Sequence, residues 1–209
     1  MGNIYAGRLA ALRDRMKKAQ VDAYLVPTDD FHLSEYVGDF FKCRKYLTGF
    51  TGSAGTALVT EDFAGLWTDG RYFLQAEREL TGSGFVLMKM QEEGVPTLEE
   101  YVKEHLTKEQ VLGFDGRCVS AKMAKNLEEK VGCKMSPLLD LVGDIWEDRP
   151  ALSHEPAWEL GLEWAGESRK DKLSFLRKEM EKAGTSVHLL SSLDDIAWLL
   201  NIRGGDIHC

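Results

Sequence analysis

The sequence predicts an α/β protein, one complete sheet-and-helix unit followed by the start of a second copy of it. Three observations carry this reading. Segments of helical periodicity alternate with short apolar runs across residues 1–148. One helical segment returns late in the chain: Leu9, Leu12, Arg13, Met16 and Ala19 recur as Leu173, Leu176, Arg177, Met180 and Ala183, a constant offset of 164. A second block follows in the same order, where Tyr46-Leu47-Thr48-Gly49-Phe50-Thr51-Gly52 parallels Trp198-Leu199-Leu200-Asn201-Ile202-Arg203-Gly204 at an offset of 152. The first copy therefore carries extra residues after its first strand.

The elements follow in order. Arg8 to Ala19 places its apolar residues on one helix face, and Ala23-Tyr24-Leu25-Val26 is a strand. Thr56–Thr60 and Phe63–Thr68 form a hairpin around Glu61-Asp62. Arg71 to Leu80 reads as a helix that Arg71 opens, and Phe85–Met88 as extended. Thr97, with Glu100 three residues on, makes a capping box for a helix over Leu98–Leu106. Gln110–Phe114 is a strand, Ser120 caps a helix ending near Gly132, and Pro137 begins a short helix to Leu141. Trp146 to Pro156 holds two of the five prolines and marks a linker. Ser168 caps the helix of the second copy, followed by the strand Val187-His188-Leu189-Leu190, in which His188 is expected to be packed.

The second copy stops at Gly204-Gly205-Asp206-Ile207-His208-Cys209, where its hairpin should begin. Without central sheet partners, ladder donors and acceptors would go unpaired. The expected organisation is a complete domain at 1–148, a linker at 149–167 and an incomplete second domain at 168–209, in an N-terminal piece of a longer protein.

Composition bounds the function. The 209 residues are 44% hydrophobic and 29% charged, ordinary for a globular protein. A net charge of −8 with no long Lys/Arg run argues against nucleic acid. No apolar run reaches the roughly 18 residues of a membrane span, and the first residues lack a basic segment followed by an apolar one. Met1-Gly2-Asn3 has Ala6 where a myristoylation signal wants Ser or Thr. Cys43, Cys118, Cys133 and Cys209 form no C-x-x-C pair, so a cytoplasmic protein with reduced thiols is expected.

Among the motifs, Gly49-Phe50-Thr51-Gly52-Ser53-Ala54-Gly55-Thr56 lacks the lysine of a phosphate loop and does not open a helix, and Thr51 occupies the place a nucleophile elbow reserves for glycine. It reads as a tight turn where backbones approach closely. Asp30, His32, Glu35 and Asp39 lie close together but lack metal-ligand spacing, and are assigned exposed or capping roles, with partner contact as the rival. The scattered His105, His154, His188 and His208 suggest no metal or catalytic site. In Trp67-Thr68-Asp69-Gly70-Arg71-Tyr72-Phe73, a strand ends in a turn at which the planar fork of Arg71 can grip a carboxylate or a peptide carbonyl. The alternative for Arg71 is a structural ion pair with Asp69 or a neighbouring acid. Tyr72 and Phe73 read as core aromatics.

These blocks resemble the three-domain, cytosolic aminopeptidase P family of Xaa-Pro aminopeptidases. The resemblance is carried by Tyr46 to Thr56, Trp67 to Ala76, Leu87-Met88-Lys89-Met90, Asp144 to Pro150 and Leu193 to Gly204, and covers essentially the whole chain. It implies two creatinase-like N-terminal domains, the second cut short here, ahead of a pita-bread catalytic domain holding two divalent metal ions, usually manganese. No motif of that catalytic domain occurs in the sequence, so the resemblance implies neither a metal ligand nor a catalytic residue in it. It implies a substrate-contacting role for Arg71, short proline-containing peptides as substrates and a homodimer. Two alternatives stay open: a stand-alone binding or regulatory module of the same fold, and the N-terminal part of a prolidase. Prolidases more often carry a single N-terminal domain, and the sequence beyond Cys209 would separate a module from an enzyme.

Overall fold

An asparagine and a leucine stripe build the first helix. In the computed structural model, which describes residues 3–34 and 36–205, Asn3 caps α1 (Ile4–Lys18) by accepting the Tyr5 N–H, and Leu9, Leu12 and Met16 are buried along one face. The helix ends in a Schellman turn: Gln20 takes a left-handed φ of 56° and the Val21 N–H reaches back to the Met16 carbonyl at 2.9 Å. The chain divides into two compact units, Met1–Leu152 and Ser153–Cys209.

In the first unit α1 leads into β1 (Ala23–Val26), α2 (Cys43–Thr48), β2 (Thr56–Thr60), β3 (Ala64–Thr68), α3 (Phe73–Glu79), β4 (Val86–Lys89), α4 (Leu98–His105), β5 (Val111–Phe114), α5 (Ala121–Val131) and β6 (Lys134–Ser136). The six strands form one mixed sheet in the order β4-β3-β2-β1-β5-β6. β1, β2 and β3 pair antiparallel in turn, while β3–β4, β1–β5 and β5–β6 are parallel. Alternation along β1 sends Tyr24 and Val26 to a core shared with Leu9, Leu12 and Met16, and sends Ala23 and Leu25 to a second core with Tyr101, Val102 and Leu127. Both faces of the sheet are thus covered, which is why all four residues of β1 are apolar and buried.

The capping box at Thr97–Glu100 forms as the sequence predicts, and Ser120 and Gly132 bound α5. The short helix expected from Pro137 to Leu141 does not form. Ser136 instead closes β6, Leu138 bridges to Asp115, and the Pro137 carbonyl accepts the Gly116 N–H at 2.8 Å. These partners, more than twenty residues away in sequence, hold the segment extended, and a 3-10 turn follows only at Gly143–Ile145.

The second unit contains β7 (Trp158–Glu159), α6 (Leu162–Ala165), α7 (Arg169–Lys182), α8 (Leu193–Leu200) and β8 (Ile202–Arg203), with β7 and β8 paired antiparallel. Ser168 caps α7 by accepting the Asp171 N–H. The expected strand Val187–Leu190 is not one: among the described residues no strand pairs with it, and Val187 and Leu189 are 77% and 88% exposed. His188 is accordingly exposed rather than packed. A strand without a ladder partner leaves its backbone to solvent.

The internal repeat persists in three dimensions. α7 ends as α1 does, with Gly184 left-handed at φ 65° and the Thr185 N–H on the Met180 carbonyl at 3.0 Å. Gly49 at φ 83° ends α2, and Asn201 at φ 50° ends α8 in the same left-handed role. In the first unit Arg8 Nη1 donates to the Tyr46 carbonyl at 2.8 Å, its guanidinium 3.8 Å from the centre of the Tyr46 ring. In the second, Lys172 Nζ donates to the Trp198 carbonyl at 2.9 Å and lies 4.4 Å from the centre of the Trp198 ring. Each helix therefore braces the next helix with a cation on an aromatic residue.

Candidate functional site

The glycine-rich segment after α2 is a tight turn, as the sequence predicts. At Gly52 a Cβ would lie 2.7 Å from the Tyr72 ring, so only glycine fits between the turn and the start of α3. Thr51 donates its N–H and its hydroxyl to the Glu79 carboxylate at 2.8 and 2.7 Å, and the Ser53 and Tyr72 hydroxyls share a hydrogen bond of 2.7 Å. Tyr72 also packs on the core, in keeping with its sequence assignment. Beneath the turn lies Arg44, only 4% exposed, which the sequence reading did not single out. It donates through Nη2 to the Gly52 carbonyl and rests 4.6 Å from the centre of the Phe50 ring, while Nε and Nη1 have no hydrogen-bond partner among the described residues. Burial pulls its pKa down to about 10, against the attraction of Glu79 and Tyr72.

The turn packs against the end of β3, where the buried Thr68 hydroxyl donates to the Ala54 carbonyl at 2.7 Å. The next residues, Asp69-Gly70-Arg71, form the corner that the sequence singles out. Arg71 lies in the turn two residues ahead of α3 rather than opening that helix. Asp69 Oδ1 accepts the Arg71 backbone N–H at 3.1 Å and Nε at 2.8 Å, and Oδ2 accepts Nη2 at 2.9 Å. The guanidinium beside it holds the Asp69 carboxyl below the usual carboxylate range. The Arg71 side chain is 64% exposed. The ion pair that the sequence offered as the alternative is therefore present, on a side chain that also faces solvent.

A second Asp-Gly-Arg corner, missed in the sequence although the tripeptide repeats there, follows β5. Asp115 accepts the Arg117 N–H, Nε and Nη2 at 3.0, 2.9 and 2.8 Å, the same three bonds as at Asp69. Here Nη2 also donates to Asp140 Oδ2 at 2.9 Å, and Arg149 Nη1 donates to the same oxygen at 2.6 Å. Arg149 reaches on to the Phe40 carbonyl and to Cys43 Sγ. Cys43 and Cys118 line a small cavity of about 20 Å³ together with Tyr24, Asp29, Asp115 and Asp140. Burial pushes both thiols up to about 12, so neither is a thiolate nucleophile near neutral pH.

Asp29, at the rim of this cavity, is raised to about 6 by burial and by the adjacent Asp30. Folding disfavours its charge, so its contribution to stability is fully present below the ordinary carboxylate range and is lost as pH rises through about 6. Asp29→Asn should therefore raise the melting temperature at pH 7.5 and leave it nearly unchanged at pH 4. Thermal denaturation at the two pH values checks this.

The remaining candidates resolve simply. Asp30 is buried and capping: its Oδ1 accepts the N–H groups of His32 and Ser34 at 2.7 and 3.0 Å. Asp39 pairs with Lys42, and His32 and His154 are exposed. His105 stacks on Tyr101 at 3.9 Å and contacts its carbonyl through Nδ1. Glu35, His208 and Cys209 lie outside the described residues. Among the described residues no three His, Cys, Asp or Glu side chains come together as metal ligands, so a two-metal centre finds no fit in them. No described helix is long and apolar enough to cross a membrane.

The profile of the creatinase/prolidase N-terminal domain matches residues 8–147, and a second profile of the same description matches residues 148–209. The chain belongs to the creatinase/prolidase N-terminal domain family. Its creatinase-like first unit is followed by a second region of the same kind, in agreement with the internal repeat. The X-prolyl aminopeptidase of Caenorhabditis elegans, described as a cytosolic enzyme with a di-nuclear active site, superposes with a TM-score of 0.85 and 33% identity over 97% of this chain and 35% of its own. A probable Xaa-Pro aminopeptidase P of Laccaria bicolor is 40% identical over 205 residues, covering 96% of this chain and 32% of the relative. Aminopeptidase P2 of Arabidopsis thaliana is 43% identical over 193 residues, covering 90% and 27%. The chain thus spans about a third of the length of these relatives and corresponds to their N-terminal creatinase-like part.

Proposed function

We propose that the chain is the non-catalytic N-terminal region of a metal-dependent Xaa-Pro aminopeptidase, which removes the first residue from peptides with proline in second place. In this reading residues 1–148 form the first creatinase-like domain, 149–167 join it to the next, and 168–209 begin the second. The two divalent ions, manganese by family resemblance, belong to a catalytic domain outside these residues, and no metal-dependent step is assigned to this chain. Its own work is to narrow access to the site and so help select short proline-containing peptides, to contact the substrate through Arg71, and to support assembly of a cytoplasmic homodimer.

The observation that carries the proposal is the match to the Caenorhabditis elegans X-prolyl aminopeptidase over 97% of the chain at 33% identity. The X–Pro bond is a tertiary amide with its own cis/trans balance and no N–H, which sets such peptides apart from other substrates. The purified 209-residue chain should release no N-terminal residue from a Xaa-Pro peptide, with or without added manganese, whereas the full-length protein should do so in a metal-dependent manner. Turnover by the 209-residue chain, or metal-loaded full-length protein inert on such peptides, would overturn the proposal.

A further inference from the structure

We propose that Cys43 and Cys118 together form a site for one soft, two-coordinate cation, Cu(I). The two cysteines come from distant parts of the first unit. Cys43 opens α2, whereas Cys118 closes the turn after β5, its N–H on the Asp115 carbonyl at 2.9 Å. They nevertheless line one cavity of about 20 Å³, and both are half-buried, so the cavity stays within reach of solvent. A single water-sized guest needs about 10–15 Å³, so the space takes one atom-sized ligand and nothing larger. The two thiols also sense each other, since the charge of Cys43 is among the causes that raise Cys118.

The walls decide the class of ligand. Leu25, Val26, Phe41 and Val142 bring apolar side chains, and the lining carboxylates of Asp115 and Asp140 are already engaged by Arg117 and Arg149. A hard cation surrounds itself with oxygen ligands, which this lining does not offer. Zinc requires a tetrahedral set, and no three potential ligands come together among the described residues. Two sulfurs in apolar surroundings suit a soft ion content with two ligands. Arg149 supports the same assignment. Its Nη2 donates to Cys43 Sγ at 3.3 Å, a bond that a thiolate accepts more strongly than a thiol, and the guanidinium is itself fixed on Asp140 Oδ2 and the Phe40 carbonyl. Burial holds both thiols near 12, so they stay protonated until the cation arrives. Binding then breaks two S–H bonds, forms two S–Cu bonds and releases two protons to solvent, while copper remains Cu(I) and no electron is transferred. The charged and titratable groups around the pair are Asp29, Asp115, Asp140, Arg117, Arg149 and Tyr24. Because Asp29 titrates at about 6, the proton count is taken above that range.

The test titrates the 209-residue chain with Cu(I) against the chelator bicinchoninate, without oxygen. Wild type should retain one Cu(I), with an apparent affinity that rises about 100-fold from about pH 7 to about pH 8, as two displaced protons require. Cys43→Ser and Cys118→Ser should each lose the ion, whereas Cys209→Ser should keep it. Far-UV circular dichroism shows which variants are folded, and Cys43→Ala and Cys118→Ala replace any serine variant that the apolar surroundings reject. Copper K-edge absorption of the wild-type complex, which needs no variant, should show two sulfur neighbours. The proposal is overturned if no Cu(I) resists the chelator, or if a folded variant lacking either Cys43 or Cys118 retains it. A tenfold rise per pH unit, a third sulfur neighbour, or loss of the ion in Cys209→Ser overturns it equally.

Discussion

Arg71→Ala in the full-length enzyme is expected to lower kcat/KM for a Xaa-Pro peptide by about 50-fold, close to 2.3 kcal/mol of lost transition-state stabilisation. The size follows from removing charge-assisted hydrogen bonds to a peptide oxygen, each worth about 1.5–3 kcal/mol. Bound catalytic metal should be unchanged, because the described residues of this chain bring no three metal ligands together. Arg71→Lys keeps the charge but loses the planar fork that Asp69 holds through Nε and Nη2, so it should recover only part of the activity. Steady-state kinetics with metal analysis on the three proteins check this. Wild-type kinetics in Arg71→Ala would reduce the corner to a structural ion pair with Asp69.

The second large effect concerns stability. Asp140 Oδ2 accepts from both Arg117 and Arg149, and Oδ1 accepts the Gly143 N–H at 2.9 Å. The Arg149 side chain is only 12% exposed and lies 3.7 Å from the centre of the Phe40 ring. Asp140→Ala would leave this buried cation without its carboxylate, and the expected loss is on the order of 3 kcal/mol. Urea unfolding of the 209-residue chain, followed by far-UV circular dichroism, measures it. Asp140→Asn, which keeps an acceptor for Gly143, should lose less. A loss below about 1 kcal/mol for Asp140→Ala would mean that water or a neighbouring carboxylate replaces it.

What could be read from the sequence follows from how far apart the deciding partners lie. The caps at Thr97, Ser120 and Ser168 depend on an N–H three residues away, and each forms as expected. The strands β1, β2, β3 and β5 announce themselves by apolar runs that the two cores then bury, whereas the short edge strand β6, Lys134-Met135-Ser136, has no such run and was not expected. Arg71 was legible because Asp69, its partner, stands two residues before it. The failures have remote partners. Pro137–Leu141 stays extended because Asp115 and Gly116 hold it, and Val187–Leu190 is no strand because a ladder needs a second strand. The network of Asp140, Arg149 and Cys43 joins positions up to 106 residues apart, so nothing local signals it. Arg44 gave no sign either, since a lone arginine on a short helix reads as a surface residue until Phe50 and Gly52 cover it.

The braces in the two units amount to a double substitution already carried out within one chain. Arg8 on Tyr46 has become Lys172 on Trp198, both members changed and the cation-to-carbonyl bond kept. Lysine gives up the guanidinium plane that stacks on a tyrosine, and tryptophan offers the stronger π face for a compact ammonium ion. The contact thus differs between the two units in both of its members. Exchanging either partner alone between the copies should be worse tolerated than exchanging both, so this joint is a natural seam for building chimaeras of the two repeats.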